Sequence, residues 1–133
     1  MTILVDTSAL FACLDAADPH HRSAVGWLAG AGHASGEALI THNYVEVEST
    51  ALVQRRLGPE AVRVLLEDLL PTMEVVFVDR SLHRAATSAL LASAGRAPSL
   101  VDWVSFELMR HRGIRQAFAF DHDFRTAGFV TVP

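Results

Sequence analysis

The chain contains no lysine, all 11 of its basic residues being arginine. That absence excludes a Walker A phosphate loop, Schiff-base chemistry and a receiver-type domain, each of which needs a lysine amine. Its one cysteine, Cys13, excludes an internal disulfide and a cysteine zinc cluster, and suits a reducing cytoplasm. No apolar run reaches the roughly 18 residues of a membrane span, and Asp6 interrupts the apolar start before a signal-peptide core can form. A soluble, untargeted, cytoplasmic protein with no membrane role is expected. The net charge of -4 argues against broad electrostatic wrapping of nucleic acid, while leaving room for a basic rim beside an acidic pocket.

What is present is a chain of 133 residues, half of them hydrophobic, enough for one domain spanning residues 1–133 with a core that needs no covalent staple. Five apolar runs, at Ile3–Val5, Ala38–Ile40, Val75–Val78, Ala117–Phe120 and Phe129–Val132, read as short strands. Their unbroken hydrophobicity is that of strands covered on both faces. Between them lie helical segments at about Ser8–Asp15, His20–Ala31, His42–Leu57, Pro59–Leu70, Ser81–Ala94 and Leu100–Arg112. Gly58-Pro59-Glu60 separates two of these, and Pro98-Ser99 introduces one that stops at Gly113. The pattern predicts an α/β fold, a three-layer α/β/α sandwich around a mainly parallel five-stranded sheet. The glycines from Gly30 to Gly36 follow no strand, so they read as a loop and not as a dinucleotide fingerprint.

The carboxylates carry the chemistry. Asp6 directly follows Ile3-Leu4-Val5 and Asp121 directly follows Ala117-Phe118-Ala119-Phe120, which puts both at the carboxyl ends of expected parallel strands, where α/β sheets bind ligands. One such Asp alone more often caps a helix or starts a turn. On a helical wheel Glu48 falls about 40° from Tyr44, among Val47, Ala51 and Leu52, whereas Glu46 falls about 200° round on a more polar side. An acid within an apolar stripe is costly unless an arginine such as Arg55, or a metal, compensates it. Asp102 stands three residues after Ser99, as in a capping box, at the start of a helix that is apolar nearly all round. Acids brought together empty would raise one another's pKa, and a hard divalent cation, Mg²⁺ or Mn²⁺, relieves that. Such a centre can activate water against a phosphodiester.

Four stretches, Met1–Leu10, Thr41–Glu48, Ser99–Asp102 and Phe120–Phe124, together resemble PIN-domain proteins, and among these the VapC-type toxin ribonucleases of toxin-antitoxin pairs. The likeness runs in order along essentially the whole chain. It implies an α/β/α sandwich and Mg²⁺- or Mn²⁺-dependent cleavage of structured RNA such as tRNA or rRNA. The family's four acids fall on Asp6, Glu48, Asp102 and Asp121. Glu46 and Asp123 are second candidates in their motifs, and Ser8 or Thr7 matches a small hydroxyl residue able to orient a metal-bound water. The resemblance further implies a homodimer and a small antitoxin partner.

Arg110, Arg112 and Arg115 cluster at the end of the Asp102 helix and Arg55-Arg56 close the Glu48 helix, and both clusters are candidates for gripping RNA phosphates around the acidic pocket, although cations also complement helix C-termini. His42 and Glu46, one turn apart, read as a solvated polar pair before a metal site. His20, His21 and His122 are not required by a metal-activated water. Trp27 and Trp103 read as core or interface. Two other classes compete: a catalytically silent module that dimerises and binds an antitoxin, and a small-phosphate hydrolase. The second is disfavoured in its haloacid-dehalogenase form because Asp6-Thr7-Ser8 is not the DxD that chemistry needs.

Overall fold

The computed structural model describes residues 1–30 and 36–133, so the expected loop after Gly30 and the end of its preceding helix at Ala31 lie outside the described residues. Five strands form one sheet: β1 (Thr2–Val5), β2 (Ala38–His42), β3 (Glu74–Val76), β4 (Gln116–Phe118) and β5 (Val130–Val132). Their order is β3-β2-β1-β4-β5 and every pairing is parallel, with Leu4 opposite both Ile40 and Ala117. Alternate residues of β1 serve different cores. Ile3 and Val5 join Leu10, Val45, Val53 and Leu65 on one face, while Leu4 joins Ile40, Phe106, Met109 and Phe124 on the other. Both faces being covered explains the unbroken apolar runs.

Seven α-helices are present among the described residues: α1 (Thr7–Leu14), α2 (His21–Ala29), α3 (Asn43–Leu57), α4 (Pro59–Arg63), α5 (Arg80–Ser93), α6 (Leu100–Arg112) and α7 (Asp123–Thr126). The three layers and the five strands are as expected, and the sheet is wholly parallel. None of these helices is long and apolar enough to cross a membrane.

Several boundaries differ, each for a local reason. β3 stops at Val76, not Val78, because the Val78 N–H donates to the Asn43 side-chain oxygen at 2.7 Å instead of entering the sheet. β4 stops at Phe118, not Phe120, because the Phe120 N–H donates to Ser8 Oγ at 3.0 Å. The single helix expected over Pro59–Leu70 is three pieces, with α4 passing into a π-helical turn (Val64–Leu69) and a 3₁₀ turn (Leu70–Thr72). Pro71 has no N–H with which to continue an α ladder there. Gly58 ends α3 at φ 89°, a left-handed backbone that glycine adopts without strain.

The strand order places the site. From β1 the chain runs outward to β2 and β3 on one side, then returns to β4 and β5 on the other, so the direction of winding reverses between β1 and β4. Beyond the carboxyl ends of such a pair, diverging connections leave a crevice.

Candidate active site

Asp6 is the first residue past β1, and its own N–H still bonds the Phe118 carbonyl of β4 at 3.0 Å. It caps α1, with Oδ2 accepting from the Ser8 N–H (3.1 Å) and from the Ser8 hydroxyl (2.6 Å). Ser8 Oγ in turn accepts from the Phe120 N–H, so one hydroxyl ties the end of β1 to the segment after β4. Thr7, the other hydroxyl candidate, is buried with its Oγ1 lacking a partner among the described residues.

Asp102 completes the capping box foreseen for α6. Its Oδ2 accepts from the Ser99 N–H at 3.1 Å while its N–H donates to Ser99 Oγ at 3.2 Å. The bonds of both acids run through Oδ2, leaving each Oδ1 uncommitted among the described residues. Both side chains are buried, with residue exposures of 3% for Asp6 and 8% for Asp102.

Burial pushes the Asp6 carboxyl up to about 6, opposed by the Ser8 bonds and aided by the charges of Glu48 and Asp121. Burial likewise raises Asp102 to about 7, with the charges of Asp6 and Asp121 adding to it. These mutual influences put acids from after β1, from α3, from α6 and from the turn after β4 in one electrostatic neighbourhood. Glu48 and Asp121, and neither Glu46 nor Asp123, are the further acids whose charge weighs on these two buried carboxyls. Among the described residues no arginine lies within ion-pair distance of Asp6, Glu48 or Asp102. Buried like charges without a protein cation are the donor set a hard metal ion fits.

Ligand atoms lie within 4.8 Å of one another in the trio Asp121, His122 and Asp123. Three successive residues meet at a turn by chain connectivity, and His122 is 80% exposed. The convergence of separate elements on Asp6 and Asp102 is the stronger indication of a built site.

Three expectations need correction. Glu48 does not sit inside the buried stripe of α3, which is formed by Val45, Ser49 and Val53, while Val47 is 68% exposed and Ala51 is exposed. The wheel ranked faces by hydrophobicity, whereas Ser49 goes inside by bonding back to the Val45 carbonyl at 2.7 Å. Glu48 is half-buried at the edge of that face, and it makes no ion pair with Arg55.

The second concerns Arg110, Arg112 and Arg115, which stand at the opposite end of the sheet from the acids. α6 begins beside the crevice and runs away from it, so Arg112 lies about 15 Å along the helix from Asp102. There Arg112 and Arg115 border Met1 and Thr2 at the start of β1, Arg112 pairs with Glu74 at 3.6 Å, and Arg110 pairs with Glu107 and covers the Phe129 ring.

The third is His42, which is neither solvated nor paired with Glu46. It is fully buried, caps α3 by accepting the Val45 N–H at Nδ1 (3.3 Å), and donates from Nε2 to Ser105 Oγ (2.8 Å) on α6. It thus locks together the helices that carry Glu48 and Asp102. A histidine directly between an apolar strand and a helix start was the sequence signal for this role. Burial lowers its pKa from 6.5 to about 4, so the unfolded chain takes up the proton first. The stability it contributes is full above about pH 6.5 and falls as pH drops toward 4. His42→Ala should cost about 2–3 kcal/mol in urea denaturation at pH 7 and flatten the acid limb of the stability curve. An unchanged midpoint would show that the pair carries no weight.

Comparison with known proteins places this geometry. A family model described as PIN domain matches residues 3–130. The chain is 37% identical over 131 residues, 98% of its length and 97% of theirs, to proteins named 23S rRNA-specific endonuclease VapC20 from two strains of Mycobacterium tuberculosis. The crystal structure of VapC20 from that organism, described as a Sarcin-Ricin loop cleaving toxin, superposes with a TM-score of 0.85 at 35% identity, covering 96% of each chain. FitAcB from Neisseria gonorrhoeae has a TM-score of 0.69 at 16% identity, covering 100% of this chain and 97% of that one, and so shares the fold. DNA-bound VapBC from Salmonella typhimurium does so at 0.64 and 16%, covering 98% and 96%. With its fold, its acid-lined crevice and its near-complete alignment in agreement, this chain belongs to the PIN-domain family.

Proposed function

We propose that the chain is a metal-dependent endoribonuclease, the toxin of a toxin-antitoxin pair, which cuts structured RNA at a single acidic centre. What supports this reading is the burial of Asp6 and Asp102 near the winding reversal, with the charges of Glu48 and Asp121 acting on them and no ion-pair partner for either among the described residues. Likeness over nearly the full length to a 23S rRNA-specific endonuclease supports ribosomal RNA as the first substrate to try, with tRNA next.

In this reading the four acids would hold Mg²⁺ or Mn²⁺, which would supply positive charge at the scissile phosphate and make a water there easier to deprotonate to the attacking hydroxide. Ser8 fixes Asp6 by one strong bond, and the capping box fixes Asp102, so both arrive in place without reorganisation. Each keeps Oδ1 for the shared pocket. His42 and Ser105 hold the spacing between α3 and α6. In-line displacement leaves a 5′-phosphate and a 3′-hydroxyl. Thr7, Glu46 and Asp123 are assigned no direct part, and RNA-phosphate contact at Arg110, Arg112 and Arg115 requires a substrate that reaches round to the far end of the sheet.

The partner in this reading is a small antitoxin, in keeping with structural neighbours of the same fold that include VapBC. Homodimerisation is proposed through apolar surface left open in the single chain, where Val47, Phe77 and Leu91 are exposed. The setting is the cytoplasm, where the RNA is.

Mapping new RNA 5′ ends after brief induction, in a host lacking the partner, tests the reading directly. Wild type should produce sharp ends at one rRNA or tRNA position, and Asp6→Asn should produce none. Identical profiles from two soluble proteins would favour the silent binding module.

A further inference from the structure

A second recess opens beside the acids. It has a volume of about 360 Å³, and among its lining residues are Ser8, which bonds Asp6, and Asp121, together with a further acid, Asp18. That volume is within the range of small-ligand pockets, about 300–1,000 Å³. Its walls are chemically distinct. On one side the His20 imidazole lies flat on Phe120, with ring centres 4.4 Å apart and planes 11° from parallel. Phe120 is held by its N–H bond to Ser8 Oγ, so this stack is anchored to the same hydroxyl that positions Asp6. His20 is the exposed ring of the pair and Phe120 the half-buried one.

On the other side the Arg56 guanidinium stands 6.0 Å from the centre of the Phe11 ring. Arg56 is exposed at the end of α3 and makes no ion pair among the described residues, so its charge is available to an anion. The recess therefore offers a flat aromatic face and a cation at the mouth of a pocket that otherwise repels anions. A flat apolar ring joined to a negative phosphate is the ligand that satisfies both.

We infer that this recess binds one unpaired nucleotide of the RNA substrate next to the scissile phosphate, its base on the His20–Phe120 stack and its phosphate at Arg56. The inference rests on the nuclease reading above and adds to it a subsite through which the enzyme favours unstacked over paired RNA, since a base within a duplex cannot reach the stack.

His20→Ala and Arg56→Gln alter exposed side chains, so the fold is not at stake, and melting curves verify that. Steady-state cleavage of purified rRNA in Mn²⁺ is compared for wild type, each variant, the double variant and Asp6→Asn. Each single substitution should raise KM about fivefold or more with kcat little altered, as expected when a stacked base or a phosphate contact is lost. The double variant should compound the two.

Wild-type cleavage that Asp6→Asn abolishes, with the KM of His20→Ala and Arg56→Gln unchanged, overturns the subsite and leaves the nuclease reading standing. Absence of wild-type cleavage overturns both. Unchanged KM accompanied by weaker neutralisation by the antitoxin would assign the recess to a protein occupant, and so also overturns the nucleotide subsite.

Discussion

Asp6→Asn should abolish cleavage and at the same time make the metal-free protein more stable. The loss of activity should be on the order of a thousandfold or more, corresponding to several kcal/mol of charge stabilisation withdrawn from the reacting phosphate. The gain in stability has a separate origin. Burial and the neighbouring acids hold Asp6 at about 6 against an ordinary 3.8, so at pH 7 folding must place a charge where it is disfavoured. A shift of that size corresponds to roughly 2–3 kcal/mol. Asparagine removes the charge and keeps a side-chain oxygen to accept the Ser8 N–H and cap α1, so the helix start survives.

A rise of several degrees in Tm is expected in EDTA at pH 7. The sign follows from linkage: a carboxyl with a raised folded pKa favours folding at low pH, and that contribution is lost as pH climbs from 3.8 through about 6. The advantage of the variant should therefore vanish below about pH 4 and be complete above about 6. Asp102→Asn should behave alike, with its window reaching about 7. A variant that melts below wild type in EDTA at pH 7 would mean that the acids are not strained when empty, and would remove the main physical support for a metal centre.

Much of this design was legible before any coordinates. Unbroken apolar runs reported strands covered on both sides, and an acid after Val5 marked the functional end of the sheet. Ser99 with Asp102 announced its own cap. What escaped was decided by interactions between distant segments. The end of β4 depends on Ser8, more than a hundred residues away, taking the Phe120 N–H. No local pattern records that.

The inward face of α3 turned on Ser49 satisfying its hydroxyl within its own helix, which hydrophobicity alone misjudges. α7 (Asp123–Thr126), a single short turn with no apolar period, gave no signal of its own. Arg110 and Arg112 lie far from the acids because a helix that starts beside them, as α6 does at Leu100, must end away from them. Arg56, which does border the recess beside the acids, closes the same helix α3 that carries Glu48, whereas His20 comes from a segment that carries none of the four.

Metal should stabilise the protein by an amount that grows with pH and then levels off. On the proposed reading Mn²⁺ would bind the ionised carboxylates, so below the raised pKa values it would first have to displace protons from Asp6 at about 6 and Asp102 at about 7. The difference in Tm with and without Mn²⁺ should be small at pH 5, rise most steeply between pH 6 and 7, and flatten above roughly pH 7.5. Taking that difference cancels the parallel trend from His42, whose contribution also grows as pH rises from about 4 to 6.5, because its ring bonds Ser105 and the Val45 N–H and not the acids and is the same with and without metal. At saturating metal, about a hundredfold over Kd, the stabilisation should reach about 2.7 kcal/mol. Asp6→Asn and Asp102→Asn should each reduce it and narrow the pH window to that of the acid remaining. A metal increment independent of pH from 5 to 8 would place the ion away from Asp6 and Asp102, with the Asp121-His122-Asp123 turn as the alternative, and Asp123→Asn would then be the substitution that abolishes it.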